Sequence, residues 1–159
     1  MKVVRNGMGF CGQWSLPPNL VNVAIGKPSQ QSSNNYGLNK GFSNLAVDGD
    51  SDQDWYHGSC THTRNDFRAW WMVDLQASYL IHSVKVFKSI NAVPARLSNF
   101  KIEVSSDSVN WNLCFHQGGP LQSDWELFYC QASIRGRYVR VQLQGSNYLT
   151  LCEVEVYAQ

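Results

Sequence analysis

The run Asp48-Gly49-Asp50-Ser51-Asp52 sets three carboxylates around a glycine bend, and His57-Gly58-Ser59-Cys60-Thr61-His62 follows a few residues later. Far down the chain, Leu151-Cys152-Glu153-Val154-Glu155 offers a partner for both stretches. Asp48, Asp50, Ser59 and Glu153 carry hard oxygen donors, the kind that calcium gathers in sets of roughly six to eight. Cys60 and Cys152 are candidates for a tie between the donor loop and the last strand, which would present His62 outward beside a bound ion. Asp and Gly at this spacing also satisfy an ordinary turn, because Asp folds back on its own backbone and Gly tolerates positive φ. From these residues alone, turn and cation site stay open as alternatives. No nucleophile with a base, no carboxylate dyad, no phosphate-cradling glycine loop and no zinc spacing stands out, so the pattern reads as binding without catalysis.

Loops of this kind need a rigid frame, and the chain supplies one made of strands. Its 159 residues fit one domain, large enough to bury a core without a metal or a bridge to rescue it. Six Trp, seven Tyr and seven Phe, against a charged fraction of only 16%, suit a β-rich domain. Period-two alternation marks strands at residues 70–75, 79–87, 99–105, 111–115, 126–130, 137–143 and 151–157, with turn residues between them. In the 79–87 segment Ile81, Ser83, Lys85 and Phe87 alternate against His82, Val84 and Val86. Residues 23–28 read as an edge strand closed by Pro28, residues 29–43 as a polar loop, and residues 44–49 as one helical turn. No long helical periodicity appears, so the expected class is all-β, a sandwich or jelly roll. Residues 1–20, with Pro17-Pro18 and several glycines, read as an irregular arm ahead of a domain at 21–159.

Composition narrows the partners. A net charge of +1 without a basic stripe argues against nucleic acid, and no polybasic patch addresses a membrane surface. No apolar run approaches the length of a membrane-spanning helix. Four of the five cysteines, Cys60, Cys114, Cys130 and Cys152, fall in or beside strand segments, which points to an oxidising compartment and a secreted or extracellular protein. Cys11 is left over, free or paired between chains. The first residues lack an apolar core and do not read as a secretory signal. No Asn-x-Ser/Thr acceptor adds support for secretion.

Ala46-Val47-Asp48-Gly49, Tyr56-His57-Gly58-Ser59-Cys60-Thr61-His62, Trp70-Trp71-Met72-Val73-Asp74-Leu75, Gly136-Arg137-Tyr138-Val139 and Leu151-Cys152-Glu153-Val154-Glu155-Val156 together resemble the F-type lectins, or fucolectins. The resemblance runs from about Asn22 to Tyr157. It implies a single jelly-roll β-sandwich of the discoidin or galactose-binding-like kind. It implies a calcium ion held by the Leu45 carbonyl, Asp48, Asp50, Ser59, the Cys152 carbonyl and Glu153, and bridges Cys60–Cys152 and Cys114–Cys130. It also implies a shallow loop site for terminal α-L-fucose on glycans, reached by membranes only through those glycans, in a protein that gains strength as a homo-oligomer or multidomain parent.

The family motif is a His, an Arg 27 positions on, an acid two beyond, and a basic residue five beyond that. From His62 these positions hold Ser89, Asn91 and Arg96, so His62 and Arg96 match and the other two depart. The family's adjacent cysteines fall at Ala92-Val93 and are absent here. Ser offers one donor over a short reach where Arg offers a fixed fork of them. A charge-assisted bond contributes roughly 1.5–3 kcal/mol, so its loss weakens binding by about 10- to 100-fold. Lys88, Arg64 and Arg68 lie near enough in sequence to be candidate replacements. Trp55 and Tyr56 are placed either to cradle the fucose methyl group or to fill the core, and His57, His82 and His116 read as structural or exposed. A discoidin-like adhesion module for phospholipid or a protein, or a lectin of altered sugar preference, is the competing reading.

Overall fold

The computed structural model describes residues 19–35, 37 and 40–159. Most of the arm expected at residues 1–20, including Pro17-Pro18, and the leftover Cys11 therefore lie outside the described residues. Among the described residues nine strands follow in order: β1 (Val21–Asn22), β2 (Ser29–Gln31), β3 (Asp66–Phe67), β4 (Trp70–Phe87), β5 (Phe100–Ser105), β6 (Asn112–Gln117), β7 (Trp125–Leu143), β8 (Ser146–Asn147) and β9 (Glu153–Ala158). The helical pieces among the described residues are short 3-10 turns, at Ser43–Ala46, Trp55–His57 and Pro94–Arg96.

Two long strands carry the architecture. β4 and β7 pair antiparallel along most of their length, and both bend in the middle. Beyond the bend, Trp70–Asp74 of β4 pairs with β2 and with the second half of β7, which continues to β5 and β6. On the other side, Ile81–Phe87 of β4 pairs with β9 and the first half of β7, and β9 carries β1. The strands thus fold into the two faces of an all-β jelly-roll sandwich. The Cys114–Cys130 disulfide joins β6 of one face to the first half of β7 in the other.

The bends explain why the burial alternation changes phase. Trp71, Val73, Leu75 and Ile81 are buried in β4, then Val84 and Val86, with a register shift between Ile81 and Ser83. Likewise Phe128 and Cys130 are buried in the first half of β7, and Val139 and Val141 in the second. One extra residue in a strand flips every later side chain to the opposite face, and that is how one strand serves two sheets. At the bend Gln76 takes φ +63°, its amide donating to Asp74 Oδ1, and Arg137 grips the Asp74 carboxylate with two hydrogen bonds. Asp74 is held below the usual carboxylate range chiefly by that guanidinium.

Four local readings change. The edge strand expected at 23–28 lies instead at Val21–Asn22, where it pairs with Tyr157 and Ala158; Gly26 at φ +68° breaks the segment that follows. The polar loop expected at 29–43 begins with β2, because β4 offers it an unpaired edge regardless of its Ser and Gln side chains. The pairs expected at 70–75 and 79–87, and at 126–130 and 137–143, are each one bent strand. The helical turn expected at 44–49 sits at Ser43–Ala46, and buried Trp71 anchors it by donating its indole N–H to the Ser43 carbonyl.

Gly136 lies at the crossing of the bent strands. A Cβ there collides with Val104 Cγ1 and stands 2.9 Å from the Ser105 carbonyl oxygen. Gly136→Ala should cost about 1–3 kcal/mol of stability through overpacking, read as a lower urea midpoint. Gly145→Ala, with nothing within 4 Å of the new methyl, serves as control and should match the parent. Equal midpoints for both variants would refute the tight crossing.

Candidate functional site

The binding end is built on one extended segment, Cys60–Thr63, held from both sides. On one side it pairs with Leu149–Cys152: the Thr61 amide donates to the Leu151 carbonyl at 2.7 Å and the Thr63 amide to the Leu149 carbonyl at 3.0 Å. The return bonds run to side chains, since the Leu151 and Leu149 amides donate to the Thr61 and Thr63 hydroxyls. The Cys60–Cys152 disulfide closes this ladder across 92 residues. On the other side the His62 amide donates to the Gly41 carbonyl and its carbonyl accepts from the Asn35 amide. Gly41 sits at φ +51°, and a Cβ there would stand 2.6 Å from the His62 backbone nitrogen and Cβ. Only glycine permits that approach.

His62 is consequently sunk, only 7% exposed, and does not project outward as its loop position suggests. Its Nδ1 lies 2.6 Å from the Thr63 carbonyl. The Asn35 side-chain amide is also 3.2 Å away, but the carbonyl contact is shorter and a carbonyl only accepts. Nδ1 therefore carries the proton of the neutral ring, leaving the Nε2 lone pair 3.4 Å from Arg96 Nη1. Burial lowers the His62 pKa below its ordinary value, the Arg96 charge adds to this, and the Thr63 bond partly opposes it. The ring is flanked by Trp55 and Tyr148, with centroids 4.9 and 5.3 Å away.

Arg96 reaches this point from the Pro94–Arg96 turn, where proline presets the first φ. Its guanidinium lies 4.9 Å over the Tyr148 ring, and Asn147 ties the turn down through the Ala95 carbonyl. Asn91 accepts the Trp55 amide at 2.7 Å, joining this loop to the Trp55–His57 turn. The four motif positions His62, Ser89, Asn91 and Arg96 and the two flanking aromatics Trp55 and Tyr56 all line one pocket of about 260 Å³, together with Ala92 and Thr150. Trp55 packs half-buried against the Cys60–Cys152 cluster, and Tyr56 stands 76% exposed at the rim.

Behind the pocket lies the acidic bend. Asp48, Asp50, Asp52 and Asp54 each accept the amide two residues on, at 2.9 Å, in a run of turns that ends at Tyr56. His57 caps the run on Asp52 at 2.7 Å, and that bond raises its pKa above the ordinary value. Glu153, at the start of β9, is 2% exposed and neither of its carboxyl oxygens has a hydrogen-bond partner. Burial first, and the Asp48 charge next, push it up to about 8. The Gly49 and Val154 amides pull the other way without reaching it in hydrogen-bonding geometry. Leu45 stands on the turn that packs on β9. Ser59 is buried beside Cys60, whose disulfide brings it near Cys152. Asp50 is exposed, with one oxygen committed to Asp52. Among the described residues, no three His, Cys, Asp or Glu side chains converge as a metal cluster.

Residues 45–141 match the family described as NedA-like, galactose-binding domain. The fucolectin of Anguilla anguilla is 38% identical over 142 residues, covering 85% of this chain and 89% of that protein. The chain belongs to the F-type lectin, or fucolectin, family. A Streptococcus pneumoniae fucose-binding module superposes with a TM-score of 0.78 at 35% identity, covering 88% of this chain and 99% of the module. The lectin domain of lectinolysin, in complex with Lewis B antigen, superposes at 0.80 with 35% identity, covering 87% and 97%. These relatives are lectins and binding modules, and this member of the family is a binding domain and not an enzyme.

Ser89 and Asn91, the positions where the sequence resemblance implies an Arg and an acid, have a structural setting. Ser89 is 2% exposed and its hydroxyl accepts the Asn91 amide at 3.3 Å, so it shapes the Asn91 turn. None of the three candidate replacement cations lines the pocket: Lys88 pairs with Asp124, Arg64 donates to the Asn34 carbonyl and Arg68 to Gln144. Arg96 is the one permanent charge among the described residues that line it. Sequence reasoning missed Tyr148, which supports both His62 and Arg96, and Thr150. Only their nearness to Cys152 in the chain hinted at either.

The Glu153 environment sets a pH dependence. In the unfolded chain this carboxyl ionises near 4.5 and in the folded protein near 8. The folded state thus favours the protonated form, and the stability this contributes is complete below 4.5 and lost as pH rises through 8. In chelator, the parent should therefore melt lower at pH 8.5 than at pH 5, while Glu153→Gln flattens the slope. A parent with no such slope would sink the assignment of a stranded carboxyl.

Proposed function

We propose that this domain is a secreted lectin that binds terminal α-L-fucose on glycans, with calcium bracing the corner behind the sugar pocket. One observation carries the reading: His62 and Arg96 face each other across 3.4 Å in the same pocket that Trp55 and Tyr56 flank. A sugar hydroxyl lodged against the pair and replacing their direct contact donates to the His62 Nε2 lone pair and accepts from Arg96 Nη1. The two rings give the apolar body of a deoxy sugar a surface to lie on. The lectinolysin domain bound to Lewis B and the fucose-binding module support the choice of sugar. The two disulfides support an extracellular setting. With Ser89 in place of a second guanidinium, single-site affinity is weak, and several sites acting together supply avidity.

The residues fit a calcium ion. Glu153 is a buried carboxyl with both oxygens unpartnered, beside Asp48, and such a group is costly unless a cation or donors meet it. Asp48, Glu153, Ser59, Asp50 and the Leu45 and Cys152 carbonyls would hold the ion, with carbonyls and water making up the coordination. Its contribution is charge neutralisation that fixes the Asp48 bend against β9. A second reading rests on Ile90 and Val93, exposed on either side of Asn91 and Ala92; such apolar tips suit a lipid surface.

A glycan array with and without chelator separates these readings. Fucosylated glycans should bind, and methyl α-L-fucoside should compete; liposome binding without competition would favour lipid instead. Arg96→Ala and His62→Ala should each weaken binding by about tenfold or more, the worth of one charge-assisted or buried bond. Calcium should raise the melting temperature of the parent at pH 8 and leave Glu153→Gln unmoved.

The tautomer adds a pH test. Because the His62 pKa lies below 6.5, the accepting form of Nε2 persists at neutral pH and is lost only as pH falls below that value. Fucoside affinity should hold from pH 8 to 6.5 and decline at lower pH. Affinity that rises on acidification would refute His62 as an acceptor.

A further inference from the structure

We propose that Thr150 is a specificity-determining contact of this pocket, its hydroxyl taking up a hydroxyl group of the bound sugar. The inference rests on the sugar-binding reading and extends it to a residue outside the family motif. Thr150 is 4% exposed and lines the pocket with His62, Ser89 and Arg96. Its neighbours Leu149 and Leu151 are fully buried in the core. In extended chain paired with Thr61–Thr63, the residue between two inward side chains turns to the opposite face. For Thr150 that face is the pocket.

The hydroxyl accounts for the rest. Thr61 and Thr63, across the ladder, both spend theirs on backbone amides of Leu151 and Leu149. Thr150 Oγ1 has no hydrogen-bond partner at all. A buried hydroxyl without a partner is a liability that valine, of the same shape, would remove. The oxygen is also closed to bulk water, so its desolvation is complete before a sugar arrives, and the first partner it meets forms a bond in a low-dielectric setting. A turn about χ1 to another staggered well presents it to the ligand. With a hydroxyl here and Ser89 alongside, the inner wall recognises a neutral donor–acceptor group; the fixed charge comes from Arg96 alone among the described lining residues.

The test is calorimetric titration of the full chain with methyl α-L-fucoside, for the parent, Thr150→Val and Thr150→Ser. Valine should weaken binding about fivefold, the worth of one neutral hydrogen bond, while its melting temperature equals or exceeds that of the parent. Serine should stay within about twofold of the parent, since it keeps the hydroxyl. Against the 2-, 3- and 4-deoxy fucosides, the valine penalty should vanish for one analogue only, naming the sugar hydroxyl concerned. Valine binding as tightly as the parent, or a penalty equal for every analogue, overturns the contact while leaving the lectin reading intact. A lowered melting temperature for valine overturns it too, because the hydroxyl then has an internal partner. A parent that binds no methyl α-L-fucoside overturns both readings together.

Discussion

The pairing of Thr61 and Thr63 with Leu149 and Leu151 is the interaction on which the binding end depends. It joins two segments nearly ninety residues apart in the chain and sets the height of everything above it. The hydroxyls of Thr61 and Thr63 stand in for backbone acceptors, so the Leu149 and Leu151 amides stay bonded in a segment outside the strands. His62, between them, inherits a fixed backbone and is pressed from the far side by Gly41. Its proton is then placed by Thr63 and not by any ligand. Pre-set geometry of this kind matters more in a shallow site than in a deep one, since few contacts are available to offset the cost of ordering.

Below that ladder the same chain ends create an electrostatic debt. β9 must start beside Cys152 for the disulfide to close, and its first residue is Glu153. The carboxyl lands among buried apolar neighbours and next to the Asp48 bend. Apolar packing alone would have no reason to put an acid there, and ionising it without compensation opposes folding. On the calcium reading, a cation beside Glu153 and Asp48 would link stability to sugar binding through Asp54, Trp55 and Tyr56.

Much of the frame was legible from alternation alone. Phe100, Ile102 and Val104 are the buried apolar residues of one run, and Val139, Val141 and Leu143 of another, at every second position, and that signal survives without knowledge of the partner strand. The bends were not legible, because a bulge is fixed by what lies opposite: Gly136 against Val104, Asp74 against Arg137. β2 was hidden for a related reason, its Ser and Gln being recruited by the open edge of β4. In the site, the motif spacing named four residues that share a pocket with Trp55 and Tyr56, since spacing along two loops maps onto one end of a sandwich. Tyr148 and Thr150 carry no motif. Their roles arise from pairing across the chain, and no short-range pattern encodes that. The depth of His62 was misjudged for the same reason, the lid over it being Gly41 and Trp55 from elsewhere in the sequence.

If Ser89 stands where the family motif expects a guanidinium, as the sequence resemblance implies, the kind of recognition available changes. A two-arginine pocket can grip hydroxyls from two sides with fixed charge, whereas here Arg96 must serve alone while also resting on Tyr148 and facing His62. A cation stacked on an aromatic ring and held near a neutral imidazole is well oriented but already partly engaged. Ser89, drawn under Asn91, leaves the inner wall to neutral groups, and Asn91 in turn is committed to the Trp55 amide. Neutral hydrogen bonds each contribute less than charged ones but depend more strictly on direction. On the sugar-binding reading, the pocket's discrimination would therefore rest on the position of individual hydroxyls more than on the strength of any single grip, and a ligand with one of them inverted would lose a bond that no neighbouring charge can make good.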